Sequence, residues 1–160
     1  MIDQDKPLPD SKVLIVDDNA QNLELLAAYM EEVPNVTTIA AYNGIEAMQK
    51  VAQERPDLIL LDVMMPKMSG FEVCRQIKSD PETRDIQVIM VTALNEVGDH
   101  ERAADCGTDE FLTKPVNRME LLTRAKSLLR IRQLKRRLDR TMGFLGTPDP
   151  AAKKMNTDDE

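Results

Sequence analysis

Three carboxylates at the ends of apolar runs carry the chemistry of this chain. Val13-Leu14-Ile15-Val16 leads into Asp17 and Asp18, and Leu58-Ile59-Leu60-Leu61 leads into Asp62, 44 positions after Asp18. An acid that closes a continuous apolar run sits at the carboxyl edge of a buried strand, the edge where open parallel sheets bind ligands. Three acids gathered there repel one another unless a divalent cation joins them, and hard carboxylate oxygens suit Mg²⁺. The reading is a Mg²⁺ site with one carboxylate left to react. For any one of these acids alone a helix cap is as good an explanation. Their combination with Lys114 favours chemistry.

The elements that must position these groups alternate strictly. Val13–Val16 reads as a strand and Asn19–Val33 as a helix, with Leu23, Leu26, Ala27 and Met30 at helical spacing. Val36–Ala40 is a β-branched strand, and Gly44–Glu54 a helix carrying Ala47, Met48 and Val51. Leu58–Leu61 is apolar throughout, as expected of a strand covered on both faces. Phe71–Lys78 is a third helix, Gln87–Val91 a strand running into Thr92, and Asp99–Cys106 a weaker helix stopped by Gly107. Glu110–Leu112 is a short fifth strand, and Asn117 caps a last helix reaching at least Arg140. Five β-then-α units predict an α/β fold: a flavodoxin-like, doubly wound, five-stranded parallel sheet, order 2-1-3-4-5, with an extended last helix.

Composition narrows the function classes. The chain has 160 residues, 42% of them apolar but only 3% aromatic, with no Trp. That suits one domain with tails and a core of Leu, Ile, Val, Met and Ala. No apolar run approaches the ~18 residues of a membrane span, and Asp3, Asp5 and two prolines near the start do not resemble a signal peptide. Cys74 and Cys106 are far apart and read as free thiols of a cytoplasmic protein. His100 is the only histidine and reads as a surface residue, which leaves no histidine-based metal site or triad. No Gly-rich nucleotide loop is present.

The strand-end residues resemble the receiver domain of two-component response regulators. Asp17-Asp18, Asp62, Thr92 and Lys114-Pro115 follow strands one, three, four and five, and the loop Asp62-Val63-Met64-Met65-Pro66-Lys67-Met68-Ser69-Gly70 matches as well. The resemblance covers roughly residues 12–129. It is strongest to stand-alone receivers and to those attached to diguanylate cyclases, judged by Phe111-Leu112-Thr113-Lys114-Pro115 and the basic last helix. It implies that Asp62 is the nucleophile and takes a phosphoryl group from a phosphohistidine on a sensor histidine kinase or phosphotransfer protein. It implies that Asp17, Asp18, Asp62 and the Met64 backbone carbonyl hold Mg²⁺. Lys114 and Thr92 would contact the phosphate, Phe111 would turn inward in the active state, and Pro115 would follow a cis peptide bond that aims Lys114. Ser69 departs from the family's frequent Asp before Gly70 and suits a helix cap. Met64 places a bulky apolar side chain beside the phosphate, which is expected to hinder water and slow self-dephosphorylation.

The charge is uneven. The chain carries −7 overall, yet Arg118 to Arg140 holds nine basic residues against two acidic ones, so that segment is +7 and the remainder −14. Leu128, Ile131, Leu138, Met142 and Leu145 follow 3-4 spacing there, broadened by Leu134 and interrupted by Lys135. Either a solvated helix with scattered leucines or a docking surface fits. An output protein and a second copy, pairing through the last helices, are both candidate occupants. Between Arg118 and Arg140 there is no aromatic residue to stack on bases, and no helix-turn-helix follows, which argues against nucleic acid. The expected organisation is a disordered leader at 1–11, a receiver domain at 12–129, a basic amphipathic extension at 130–142 and a disordered tail at 143–160.

The function expected from all this is a single-domain response regulator, not an enzyme, that accepts a phosphoryl group on Asp62 and switches protein contacts. A phosphorylation-independent scaffold on the same fold is the alternative. A phosphatase using an aspartyl phosphate is disfavoured, because it wants a second Asp two positions after the nucleophile, where Met64 stands.

Overall fold

A computed structural model describes residues 7–93 and 97–146. The chain alternates β1 (Ser11–Val16), α1 (Ala20–Met30), β2 (Val36–Ala41), α2 (Gly44–Glu54), β3 (Leu58–Asp62), α3 (Gly70–Ser79), β4 (Gln87–Thr92), α4 (Val97–Cys106), β5 (Glu110–Thr113) and α5 (Arg118–Gly146). The five strands pair in parallel in the order β2-β1-β3-β4-β5, the flavodoxin-like arrangement. β1 and β3 lie side by side, with Val16 opposite Leu61. The acids that close these two strands therefore meet at one edge.

Period-two alternation splits the strand side chains between two cores. Val13, Ile15, Leu58, Leu60, Ile89 and Val91 pack on one face against Leu23, Leu26 and Met30 of α1 and Leu121, Ala125 and Leu128 of α5. Leu14, Val16, Ile59, Leu61, Val88 and Met90 pack on the other against Ala47, Val51, Val73 and Ile77 of α2 and α3. Truncating one of these fully buried side chains, such as Leu60 to Ala, costs about 2–5 kcal/mol. Cys74 and Cys106 are free and buried, and the Cys74 thiol donates to the Cys106 carbonyl oxygen at 3.4 Å.

Side chains fix the helix starts. Asn19, Asn43 and Asn117 accept the backbone N–H three residues on at 3.0, 2.8 and 2.8 Å, and Ser69 does so at 3.3 Å. Each such cap contributes about 1 kcal/mol. Helix α1 stops at Met30, short of the expected Val33. Pro34 bars its predecessor from helical geometry, and the Glu32 and Val33 amides make tight bonds to Tyr29 and Met30 instead.

Two expected boundaries move. The leader was expected to be loose through residue 11, but β1 begins at Ser11 and Leu8 is buried in the first core. Residues 1–6 lie outside the described residues. At the other end, Gly143 does not end α5, which continues to Gly146. One glycine costs a helix only about 1 kcal/mol. The rest of the expected tail, 147–160, lies outside the described residues. Among the described residues no helix is long and apolar enough to cross a membrane.

Helix α5 is buried as far as Leu129, with Ile131 partly buried against the same core, and the next turn is clamped. Asp57, just before β3, is buried. One of its oxygens accepts the Lys12 amide at 2.9 Å, and the other accepts Arg132 Nε at 3.2 Å and Arg136 at 3.1 Å. Lys135 lies 3.9 Å from Asp85, while Arg118 pairs with Glu32 and Arg124 with Glu110. Much of the basic helix is thus matched to acids of its own body.

Candidate functional site: an acidic pocket at the carboxyl edge of the sheet

The pocket is built where β1 and β3 end. Asp17 follows β1, and its amide donates to the Ala41 carbonyl at 3.1 Å, which holds the chain against β2. One carboxylate oxygen of Asp17 accepts the Asn19 amide at 2.9 Å and so turns the chain into α1. The other accepts Lys114 Nζ at 3.0 Å. Asp18, next in line, points to solvent, whereas Asp17 and Asp62 are buried.

Asp62 is the last residue of β3, and the loop after it folds back over the strand end. The Gly70 amide donates to the Val63 carbonyl at 3.0 Å. A β-carbon on Gly70 would stand 2.2 Å from the Asp62 carbonyl oxygen, so only glycine allows that approach. Ser69 then caps α3 as expected.

Lys114 arrives from the far side of the sheet. Its amide donates to the Thr92 carbonyl at 2.8 Å, tying the end of β5 to the end of β4. Its ammonium lies 3.0 Å from Asp17 and 3.4 Å from Asp62. The Lys114–Pro115 bond is cis. Thr92 is fully buried at the end of β4. Phe111, on β5, packs half-buried against the core on the α2–α3 face, two strands from Asp62.

One cation faces three carboxylates here. Burial pushes the Asp62 carboxyl up to about 6, with the nearby Asp17 charge adding to the effect and Lys114 opposing it. Burial alone would lower the Lys114 ammonium, but its contacts with Asp17 and Asp62 outweigh this and hold it above the usual lysine value. Oxygens of Asp17, Asp18 and Asp62 lie within 4.8 Å of one another. An uncompensated cluster of hard oxygens, with its central acid pushed toward neutrality, is the donor set a small divalent cation suits.

The residues singled out in the sequence are therefore distributed as follows. Asp17, Asp18, Asp62 and Lys114 converge. Thr92 sits beside them through its backbone link to Lys114. Phe111 stands apart. Met64 donates its backbone amide to Asp62, and its side chain is 61% exposed. The side chain of His100 lies outside the described residues. Asp57 was missed; its signal was the pair Arg132 and Arg136, four positions apart, seeking one buried acid.

Fold and pocket together define a receiver-type α/β domain. The chain belongs to the response regulator receiver domain family, whose model matches residues 13–126. It is 44% identical over 123 residues to "Response regulator PleD" of Caulobacter vibrioides, a match covering 76% of this chain and 27% of that protein. It is 39% identical over 117 residues to "Polar-differentiation response regulator DivK" of Brucella anthropi, covering 73% of this chain and 94% of that one. Among solved structures it is similar to the receiver domain of sensor histidine kinase PA1611 from Pseudomonas aeruginosa PAO1, described with a magnesium ion in its active-site cleft. That likeness has a TM-score of 0.68 and 27% identity, covering 74% of this chain and 97% of the other. The chain spans about a quarter of PleD, so the activity of that whole protein is not carried over. The family is a signalling fold rather than a family of catalytic enzymes.

Proposed function

We propose that this protein is a phosphoacceptor switch whose reacting group is the Asp62 carboxylate. The observation that carries the proposal is the position of Asp62: buried, at a strand end, and shared between the acid cluster and Lys114 at 3.4 Å. An ionised Asp62 oxygen attacks the phosphorus of a phosphohistidine on a sensor histidine kinase or phosphotransfer protein. The P–O bond of an acyl phosphate forms, the P–N bond breaks, and the released imidazole takes up a proton.

The residues divide the remaining work. Asp17, Asp18, Asp62 and the Met64 carbonyl would hold Mg²⁺, which when bound supplies charge neutralisation for the transferring phosphoryl group. Lys114 stands ready to pair with a phosphate oxygen in place of its contact with Asp62. Asp17 anchors that lysine at 3.0 Å. The Thr92 hydroxyl and Phe111 are the groups proposed to follow the phosphate inward and change the outer face of β4, β5 and α5. Such a change is a population shift set by the differential contacts of the phosphate, worth a few kcal/mol. The match across 94% of DivK supports the reading of a single-domain regulator.

The test is intact mass after incubation with acetyl phosphate and Mg²⁺. Wild type is expected to gain one phosphoryl group, and Asp62→Asn, or wild type in EDTA, none. If wild type gains nothing from acetyl phosphate or from a phosphohistidine protein, the reading fails and the acid pocket belongs to a phosphorylation-independent scaffold.

A further inference from the structure

Cys74 and Cys106 stand 32 positions apart, in the middle of α3 and at the end of α4, and the fold brings them together. The Cys74 thiol lies 3.4 Å from the Cys106 carbonyl oxygen, and the two side chains hydrogen-bond to one another. Both belong to the core on the α2–α3 face, with Val73, Ile77 and Val88. A buried cysteine is ordinarily a small apolar filler. Two that meet through their thiols can do what a filler cannot: lose two electrons and become one bond.

The pair is asymmetric. Cys74 is sealed in the core at 0% exposure, whereas Cys106 closes the last turn of α4, with exposed Asp105 before it and exposed Gly107 after it. Gly107 ends the helix with a left-handed φ of 89°. Among the described side chains of α4 only that of Cys106 is buried. Arg102, exposed, adds a contact over the Phe71 ring at 4.2 Å. A helix end fastened in this way opens at low cost, and its fraying brings Cys106 to solvent before Cys74. The thiols differ in acidity in the same sense. The bond from Cys74 holds the Cys106 thiol down, and that same bond, together with burial, pushes Cys74 up. Cys106 is therefore the sulfur that ionises and attacks.

We propose that Cys74 and Cys106 are a dithiol modification site, which a hydroperoxide converts into a disulfide stapling α3 to the end of α4. The Cys106 thiolate attacks one oxygen of the peroxide. The O–O bond breaks, the other oxygen leaves and takes up a proton, and Cys106 becomes a sulfenic acid. The Cys74 sulfur then attacks the Cys106 sulfur. The S–O bond breaks, the hydroxyl leaves as water with the Cys74 proton, and the S–S bond forms. The two sulfurs give up two electrons and the peroxide gains them. The staple closes a loop that spans β4 and fixes the end of α4, and it uses neither Asp62 nor a metal.

The test uses the full chain, freed of reductant and treated with hydrogen peroxide at pH 7.5. Samples are then unfolded in urea with iodoacetamide and weighed intact. The expected product is a monomer lighter by about 2 Da that takes no alkyl group, and takes two after reduction with dithiothreitol. The chain has two cysteines, so an internal disulfide can join no other pair. Hydrogen exchange at residues 101–106 should slow about tenfold in the oxidised form. Cys74→Ser should stop at a Cys106 sulfenic acid that dimedone traps, and Cys106→Ser should keep an alkylatable Cys74. Asp62→Asn should close the disulfide like wild type, which separates this site from the phosphoacceptor. Wild type that keeps two alkylatable thiols overturns the proposal, as does gain of oxygen without a disulfide, or a disulfide between two chains. So does an internal disulfide that leaves exchange in α4 unchanged, because α4 is then not stapled.

Discussion

Replacing Asp62 by Asn is expected to stabilise the metal-free fold while removing the phosphoacceptor. The carboxyl is raised from 3.8 to about 6, chiefly by burial and then by Asp17 against the opposing effect of Lys114. At about 1.4 kcal/mol per tenfold change in proton affinity, the ionised form is disfavoured at neutral pH by roughly 3 kcal/mol. The pocket opens to water beside exposed Asp18, which screens these charges, and Asn gives up the contact with Lys114. Half or less of that figure, about 1–2 kcal/mol, is the working expectation. For a domain of this size it corresponds to a rise in Tm of about 3–6 °C. The sign follows from linkage. An acid whose folded pKa lies above its unfolded value binds its proton more tightly when folded, so stability is lost as pH rises from about 4 to about 6. Thermal unfolding of wild type and Asp62→Asn in EDTA should therefore converge near pH 4, separate through that window and stay apart above it. Excess Mg²⁺ should close the gap by raising wild type alone. An Asp62→Asn protein no more stable than wild type at pH 7.5 in EDTA would refute the reasoning.

The buried acid at the other edge should behave in the opposite way: Asp57→Asn is expected to cost about 2–4 kcal/mol, read as a lower urea midpoint, because it strands Arg132 and weakens the Lys12 contact. Gly70→Ala forces a β-carbon against backbone at 2.2 Å, so it should displace the end of β3, lower stability by about 1–3 kcal/mol and slow the gain of phosphoryl mass. Met64→Asn exchanges an exposed apolar side chain next to the acceptor for one that can orient water. The acyl phosphate should then decay about tenfold faster, a barrier change of roughly 1.4 kcal/mol, and an unchanged half-life would sink the shielding role.

The carboxyl edge of the sheet was legible because its signals are local. An apolar run closed by an acid states both the strand and the place where it ends, and the order 2-1-3-4-5 follows from strict alternation with right-handed crossovers. Asp17, Asp18 and Asp62 were found that way, and Lys114 through the resemblance to the receiver family. What could not be read were interactions formed between distant segments. Nothing near Asp57 announces that it binds two arginines 75 and 79 positions away. Gly143 reads as a stop because propensity favours one, yet a helix anchored upstream tolerates it. Leu8, with a proline on either side, reads as part of a loose leader, and only the assembled first core shows what it packs against.

The clamp at Asp57 has a consequence for engineering. Because two side chains of α5, four positions apart, are held by one fixed carboxylate, the helix has a set azimuth as well as a direction. Anything fused after Gly146 in continuous helix inherits that azimuth. Inserting seven residues ahead of a fused partner would turn it by only about 20°, whereas inserting two would turn it by about 200°. Arg132 and Arg136 thus act as the keyway on a shaft: they decide which way cargo faces, independently of how tightly it is attached.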